Sequence, residues 1–312
     1  MDFWLYAIGF LLLALIATLV VTRLFHKRLH QQLSPSRIPI TELPKLDQGQ
    51  AETVRFPTQG NLTLEGWWIQ VQQTDRVAIL THGWGANRAA LLPLVPLLMK
   101  AGWSVMLFDV RNHGNSDEDT FSSMPRFAED IDAAIAWLKA QHYQSKTTLT
   151  GASLPRVALI GHSVGAAATL LAASRRDDIS AVVSLSSFAH PADMMKRWLE
   201  EKGIPFFPLG WYVLGYVERV IGHQFDDIAP IQSVTSIQCP ILIVHGKEDE
   251  VIPIDDVYTL ISKTDRVLLK ILEGGHDLTP SIIEHGDELV HFLENAVPKR
   301  ITLNTSTLNS QP

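Results

Sequence analysis

The sequence predicts an α/β protein: a mostly parallel, doubly wound sheet with a helical insertion, preceded by one transmembrane helix. Three observations predict it. From about residue 51, short Val/Ile/Leu-rich runs alternate with segments of helical periodicity, the pattern of strands buried on both faces and joined by crossover helices. The alternation stops between His190 and Ser236 and then resumes. Ahead of all this, Phe3 to Thr22 is an uncharged run of 20 residues.

As a helix that first run is about 30 Å long, the thickness of a bilayer core. A buried globular helix would alternate apolar and polar faces, and this run has no polar stripe. Asp2 precedes it, and Arg23, Lys27 and Arg28 follow. A cleaved signal peptide has the reverse order, so a retained anchor is expected over a processed leader. The basic flank places the amino terminus outside and residues 23 onward in the cytoplasm, and Trp4 and Tyr6 sit where interfacial aromatics belong. Residues 1–30 are thus an anchor with its basic flank. Residues 31–50 carry three prolines and no periodicity, and read as an extended linker.

A globular domain is expected over 51–297. Thr53–Phe56 and Leu62–Val71 suit an opening antiparallel pair, with Gly60-Asn61 as a turn between them. Buried strands are expected at Val77–Leu80, Val105–Val110, Val157–Ile160, Ala181–Leu185, Ile241–Val244 and Val267–Ile271. Helices are expected at about 88–101, 125–141, 164–175, 253–263 and 280–296. The interruption at about 190–236, rich in Trp, Phe and Tyr, reads as a cap. The Thr/Asn/Ser-rich end, 298–312, reads as a disordered tail.

Composition excludes several classes. The net charge is −7 and no basic cluster occurs beyond residue 30, which argues against nucleic acid. One cysteine, Cys239, rules out an internal disulfide; before Pro240 and an apolar strand it reads as a small buried residue. No His/Asp/Glu/Cys cluster has ligand spacing, so neither a metal nor any other cofactor is expected.

The chemistry-bearing residues gather where strands end. Gly161-His162-Ser163-Val164-Gly165 follows one strand and opens an Ala-rich helix. A nucleophilic serine needs such a tight strand-to-helix turn, with small residues on either side where backbones nearly touch. Thr81-His82-Gly83-Trp84-Gly85 follows an earlier strand. Acyl transfer needs two backbone N–H groups facing the developing oxyanion, here those of Val164 and Trp84. His82 is expected to shape its loop, and Asp109 to Ser116 to form a rigid polar turn that includes His113. An acid is expected after Ile241–Val244, where Asp249 is favoured over its neighbours Glu248 and Glu250. A base is expected after the last strand, where Gly274-Gly275 allows His276 to swing back over Ser163, with Asp277 capping the next helix. Ser163 would attack, His276 would carry the proton, and Asp249 would hold the imidazole.

With these motifs in order, residues 53 to 296 resemble an α/β-hydrolase of the serine-aminopeptidase-like/esterase branch. The resemblance rests on His82-Gly83, Asp109…His113-Gly114…Ser116, Gly161-His-Ser-Val-Gly165, His245-Gly246…Asp249…Pro253 and Gly275-His276. It implies the α/β-hydrolase fold and, with the anchor, likeness to membrane-tethered esterases, thioesterases or lipases. Asn112 stands where such relatives often carry glycine.

A hydrolase of carboxylic esters or thioesters is the first expectation, acting on a small-molecule or lipid-like acyl substrate. An aminopeptidase would need an acidic group in the cap for a free α-amine; Glu200, Glu201 and Glu218 are available there but lie among basic residues. A non-catalytic membrane scaffold is the third, least supported by a chain that keeps all three catalytic residues. In the cap, Ile204 to Val217 is uncharged and holds Phe206, Phe207 and Trp211. Two readings stay open for these three: packing the lid onto the sheet domain, or lining an acyl pocket and touching the membrane surface.

Overall fold

The computed structural model describes residues 2–145 and 154–299; the expected disordered tail lies, from residue 300 on, outside the described residues. One eight-stranded sheet runs in the order β1-β2-β4-β3-β5-β6-β7-β8. The strands are β1 Ala51–Thr58, β2 Leu62–Ile69, β3 Arg76–Thr81, β4 Ser104–Phe108, β5 Arg156–His162, β6 Ile179–Leu185, β7 Ile241–Gly246 and β8 Val267–Leu272. β1 and β2 pair antiparallel, β2 meets β4 antiparallel, and β3 to β8 are parallel.

Neighbouring side chains on each strand enter different cores. Val77, Ile79, Leu159, Val182, Ile241 and Ile243 join one core, while Ala78, Leu80, Ile160, Val183, Leu242 and Val244 join the other. That two-residue period, apolar on both faces, is why the central strands read as unbroken hydrophobic runs. Helices α3 (Met124–Ser145), α4 (Val164–Ser174), α8 (Pro230–Ser236) and α9 (Ile254–Ile261) cover the first face; α2 (Val95–Lys100), α10 (Thr279–Glu284) and α11 (Gly286–Ala296) cover the second. A 3₁₀ stretch, Arg88–Leu94, takes the first part of the helix expected at 88–101; Pro93 inside it and Pro96 at the start of α2 break the α-helical ladder. Between β6 and β7 the cap holds α5 (Pro191–Glu201), α6 (Trp211–Ile221) and the short α7 (Phe225–Ile228), and passes into α8.

The amino-terminal helix α1 spans Asp2–Gln32. Residues Trp4–Gln32 make it long and apolar enough to cross a membrane, and its apolar window is unburied. Its last turns behave differently. Leu29 is buried in the first core and Phe25 and Leu33 pack against that core.

The stretch expected as a linker is extended, but it is strapped to the domain. The Arg37 guanidinium donates to the carbonyls of Gly114 and Ser116, Asn115 brackets the backbone of Ile40, and Asn87 donates to the Ile38 carbonyl. Prolines leave such a segment short of N–H donors; here Asn87 and Asn115 of the domain bond its backbone while its own Arg37 donates to the domain. Cys239 is half-buried, and burial raises its thiol pKa to about 11.

Candidate active site

Four loops meet at the carboxyl ends of the parallel strands, where open α/β sheets place their chemistry. Ser163 ends β5 and begins α4 with φ 55° and ψ −124°, a strained conformation for a residue with a side chain. Close backbone packing enforces the turn: a Cβ on Gly161 would lie 2.4 Å from the Gly165 carbonyl oxygen, and one on Gly165 would lie 2.3 Å from the His82 carbonyl oxygen.

The structure brings Ser163, His276 and Asp249 into one hydrogen-bonded chain. The Ser163 hydroxyl lies 3.0 Å from His276 Nε2, and His276 Nδ1 lies 2.9 Å from Asp249 Oδ2. A carboxylate only accepts, so Nδ1 carries the proton and Nε2 is free to accept from the serine. The other oxygen, Asp249 Oδ1, accepts from the backbone N–H groups of Val251 and Ile252 at 2.9 and 2.8 Å. Burial pushes the Asp249 carboxyl up, but the hydrogen bonds from His276 and Ile252, the nearby charge of His276 and the bond from Val251 outweigh it and hold the pKa below the ordinary value. Glu248 and Glu250 are exposed on either side, so the strand-end turn presents only the middle acid. Asp277 accepts from the Thr279 N–H at 3.0 Å, tying down the start of α10.

The loop after β3 abuts Ser163: a Cβ on Gly83 would sit 3.1 Å from Ser163 Cβ. The backbone N–H groups of Trp84 and Val164 find no acceptor among the described residues, and they flank Ser163 from two elements. Two buried histidines shape this loop. His82 Nδ1–H donates to the Gly83 carbonyl at 2.7 Å, and its Nε2 accepts from the Val110 N–H. His113 Nδ1–H donates to the Arg111 carbonyl, and its Nε2 accepts from the Gly85 N–H at 3.2 Å. Burial lowers their pKa values to about 4 for His82 and about 3 for His113, so both rings are neutral fasteners.

Beneath them lies a buried ionic floor. Arg88 bonds Asp109 at 2.5 Å and Glu65 at 2.8 Å, and Ser116 donates to the Asp109 carbonyl. The polar turn from Asp109 to Ser116 is thus part of the scaffold. Asn112 takes φ 67° within it, the left-handed region that favours glycine and tolerates asparagine. The Asn112 side chain repays that strain by bonding Ser122 and the Asp119 N–H.

Sequence reasoning missed two contributors. His162, in the elbow itself, donates from Nε2 to the His276 carbonyl at 2.8 Å, and the Ser186 hydroxyl donates to the same oxygen at 3.2 Å. His276 is therefore held by its backbone as well as by Asp249. The position of His162 beside the nucleophile was the only available signal.

The remaining expectations fare differently. Phe206, Phe207 and Trp211 are exposed on the surface of the cap, with Phe207 at 77% and Trp211 at 65%. They are not lid core: Gly210 is buried against Leu199 of α5, but these three side chains stay exposed. A groove lies between β7, β8 and α10–α11, lined by Leu242, Leu268, Leu272, Ile282 and Phe292, and none of the triad lines it. Among the described residues no group of three or more His, Cys, Asp and Glu side chains is arranged to hold a metal ion.

Comparison with known proteins adds four likenesses. Residues 72–208 match the family described as serine aminopeptidase, S33. YfhR of Escherichia coli K12 is 28% identical over 265 residues, covering 80% of this chain and 83% of that protein. A thermostable monoacylglycerol lipase of Bacillus sp. H-257 is 25% identical, covering 67% of this chain and 88% of the lipase. Among solved structures, the Pyrococcus furiosus esterase Pf2001 superposes with a TM-score of 0.67 at 23% identity, covering 84% of this chain and 98% of the esterase; that likeness concerns the fold.

Proposed function

We propose that this chain, a hydrolase of the α/β-hydrolase superfamily, cleaves carboxylic esters or thioesters through an acyl-enzyme on Ser163. The observation that carries the reading is the unbroken chain from Ser163 through His276 to Asp249, at 3.0 and 2.9 Å. In this mechanism the Ser163 oxygen attacks the acyl carbon while His276 Nε2 takes the hydroxyl proton. The N–H groups of Trp84 and Val164 receive the oxyanion, and Asp249 stabilises the imidazolium. As the intermediate collapses, His276 returns the proton to the departing alcohol or thiol. Water, activated by the same imidazole, then releases the acid and restores Ser163. The protein itself supplies every proton transfer in this sequence.

An apolar acyl group is supported by the aromatic cap and by the likeness to a monoacylglycerol lipase. A peptidase selecting a free α-amine would need an acid aimed at the site. Glu200 and Glu201 are exposed at the end of α5, and Glu218 accepts from the Phe225 N–H at 2.8 Å, which leaves the ester reading ahead. α1 is read as a retained anchor with the catalytic domain on the cytoplasmic side, on the strength of the basic residues that follow its apolar run.

The test is a panel of p-nitrophenyl esters, acyl thioesters and aminoacyl amides on the full chain in detergent. Turnover of esters or thioesters, rising with acyl length, is expected. Turnover confined to aminoacyl amides would replace this reading with the peptidase one.

A further inference from the structure

Helices α1 and α6 lie side by side in a fixed register. His26 Nε2 meets the Tyr212 hydroxyl at 2.7 Å and His30 Nε2 meets the Tyr216 hydroxyl at 2.9 Å, both across 186 residues of chain. Equal separations one turn apart mean that the helices run parallel and in step. The rings of His26 and Tyr216 stack with centroids 3.9 Å apart, and Phe25 packs against Tyr212. Phe25, Leu29 and Leu33 sit on the core side of the same two turns, while Arg23, Lys27 and Arg28 point away, exposed. The end of α1 is thus a structural part of the domain, and its direction relative to the cap is set.

The register fixes a depth. Carried one step toward the amino terminus, it places Trp211 level with Phe25, and the chain before Trp211 continues toward Thr22, where the uncharged run of α1 ends. At about 1.5 Å per residue, Trp211 lies only about 4–5 Å beyond that boundary. At this level the cap exposes Phe206, Phe207, Leu209, Trp211 and Tyr212 together. Lys196 stands over the Phe206 ring at 5.9 Å and Lys202 is exposed at the end of α5, while Arg23 and Lys27 are exposed on the outward side of α1. Aromatic side chains rimmed by lysine and arginine, set at the end of a hydrocarbon-length helix, are the composition of the lipid–water interface.

We propose that the tip of the cap, Phe206 to Tyr212, seats in the interfacial layer of the bilayer that α1 crosses, so that anchor and cap hold the membrane as one rigid unit. This rests on the reading of α1 as a membrane span. The occupant follows from continuity: the exposed patch extends sideways from the point where α1 leaves the hydrocarbon. A substrate dissolved in the same leaflet would then meet the cap without leaving the membrane.

The test uses the full chain in phospholipid vesicles, with Cys239→Ser as background and an environment-sensitive fluorophore on Leu13→Cys, Phe207→Cys, Leu209→Cys or Thr235→Cys. Thr235 is exposed at the opposite end of the sheet, before the start of β7. The proposal expects probes at 207 and 209 to be quenched by a nitroxide on the lipid near the headgroup and to be several-fold less quenched by aqueous iodide than the probe at 235. A shielded probe at 13 with probes at 207 and 209 as iodide-accessible as that at 235 would overturn the docking and leave the anchor standing. An iodide-accessible probe at 13 would overturn the anchor, and the docking with it. Using two labelled positions in the tip keeps the result independent of local damage at either one.

Discussion

The triad end of the sheet and the face shared by α1 and the cap are assembled by different rules. Around Ser163 the loops are locked by backbone: Gly161 on Gly165, Gly165 on His82 and, between the two later loops, Gly246 on Gly275, where a Cβ would come within 2.3 Å of a carbonyl oxygen. Buried neutral histidines and the Arg88–Asp109–Glu65 floor fix what the backbone leaves free. The α1–cap face is held by side chains alone, two Tyr–His pairs and a few apolar contacts, and much of its apolar surface faces outward. The difference teaches where each kind of precision is needed. Acyl transfer requires donors and nucleophile within fractions of an ångström, whereas a surface that receives lipid requires area, depth and chemistry but tolerates local repacking.

Variants can break or sharpen that division. The largest effect belongs to Ser163→Ala, which should lose about a million-fold in rate, with His276→Ala close behind, since triad members act as a unit; labelling by a fluorophosphonate probe should vanish with it. Asp249→Asn should lose about ten-thousand-fold, because the imidazole then rests in the wrong tautomer. Glu248→Gln and Glu250→Gln should keep near-normal rates, and a dead Glu248 variant beside a live Asp249 variant would move the acid. Next in size is the floor. Arg88→Leu strands two buried carboxylates and should destabilise the fold by about 3–5 kcal/mol, read as a lower thermal midpoint in detergent.

The loop histidines predict a pH effect of known sign. Both bind protons more weakly in the folded chain, at about 4 and about 3, than their ordinary value of 6.5. Above pH 6.5 neither state is protonated and nothing is lost. Below it the unfolded chain gains protons that the folded chain refuses, and stability falls by about 1.4 kcal/mol per pH unit for each histidine. The thermal midpoint should therefore decline from pH 6.5 toward about 4, and His113→Gln should flatten that decline.

The smallest effects belong to the cap. Trp211→Ala and Phe207→Ala should depress turnover of long acyl chains severalfold while changing acetate little. Losses as deep as those of Asp249→Asn, equal for acetyl and octanoyl esters, would erase the distinction between the two regions.

Most of the triad end was legible in the sequence, because its constraints are local. A glycine two residues either side of Ser163, an acid in the turn after β7 and a histidine after Gly274-Gly275 each follow a recognisable strand, and short spacing carries the geometry. The roles of His162 and Ser186 were not legible, since each acts on the carbonyl of His276 about a hundred residues away. The α1–cap face hid for the same reason. Phe25, His26, Leu29, His30 and Leu33 form a helical stripe that looks like the polar end of a membrane helix until α6 arrives beside it. A fragment starting near residue 31 would remove Phe25 and Leu29 from the core, which is why every assay proposed uses the full chain.

The most direct measurement of the central claim is capture of the acyl-enzyme. The full chain is mixed with p-nitrophenyl octanoate, quenched in acid during turnover, digested and weighed by mass spectrometry. The account predicts one octanoyl group on the peptide containing Ser163, absent from Ser163→Ala and lingering when His276→Ala acylates at all. Turnover at the wild-type rate by Ser163→Ala, or an adduct on a different residue that decays as product forms, would contradict it.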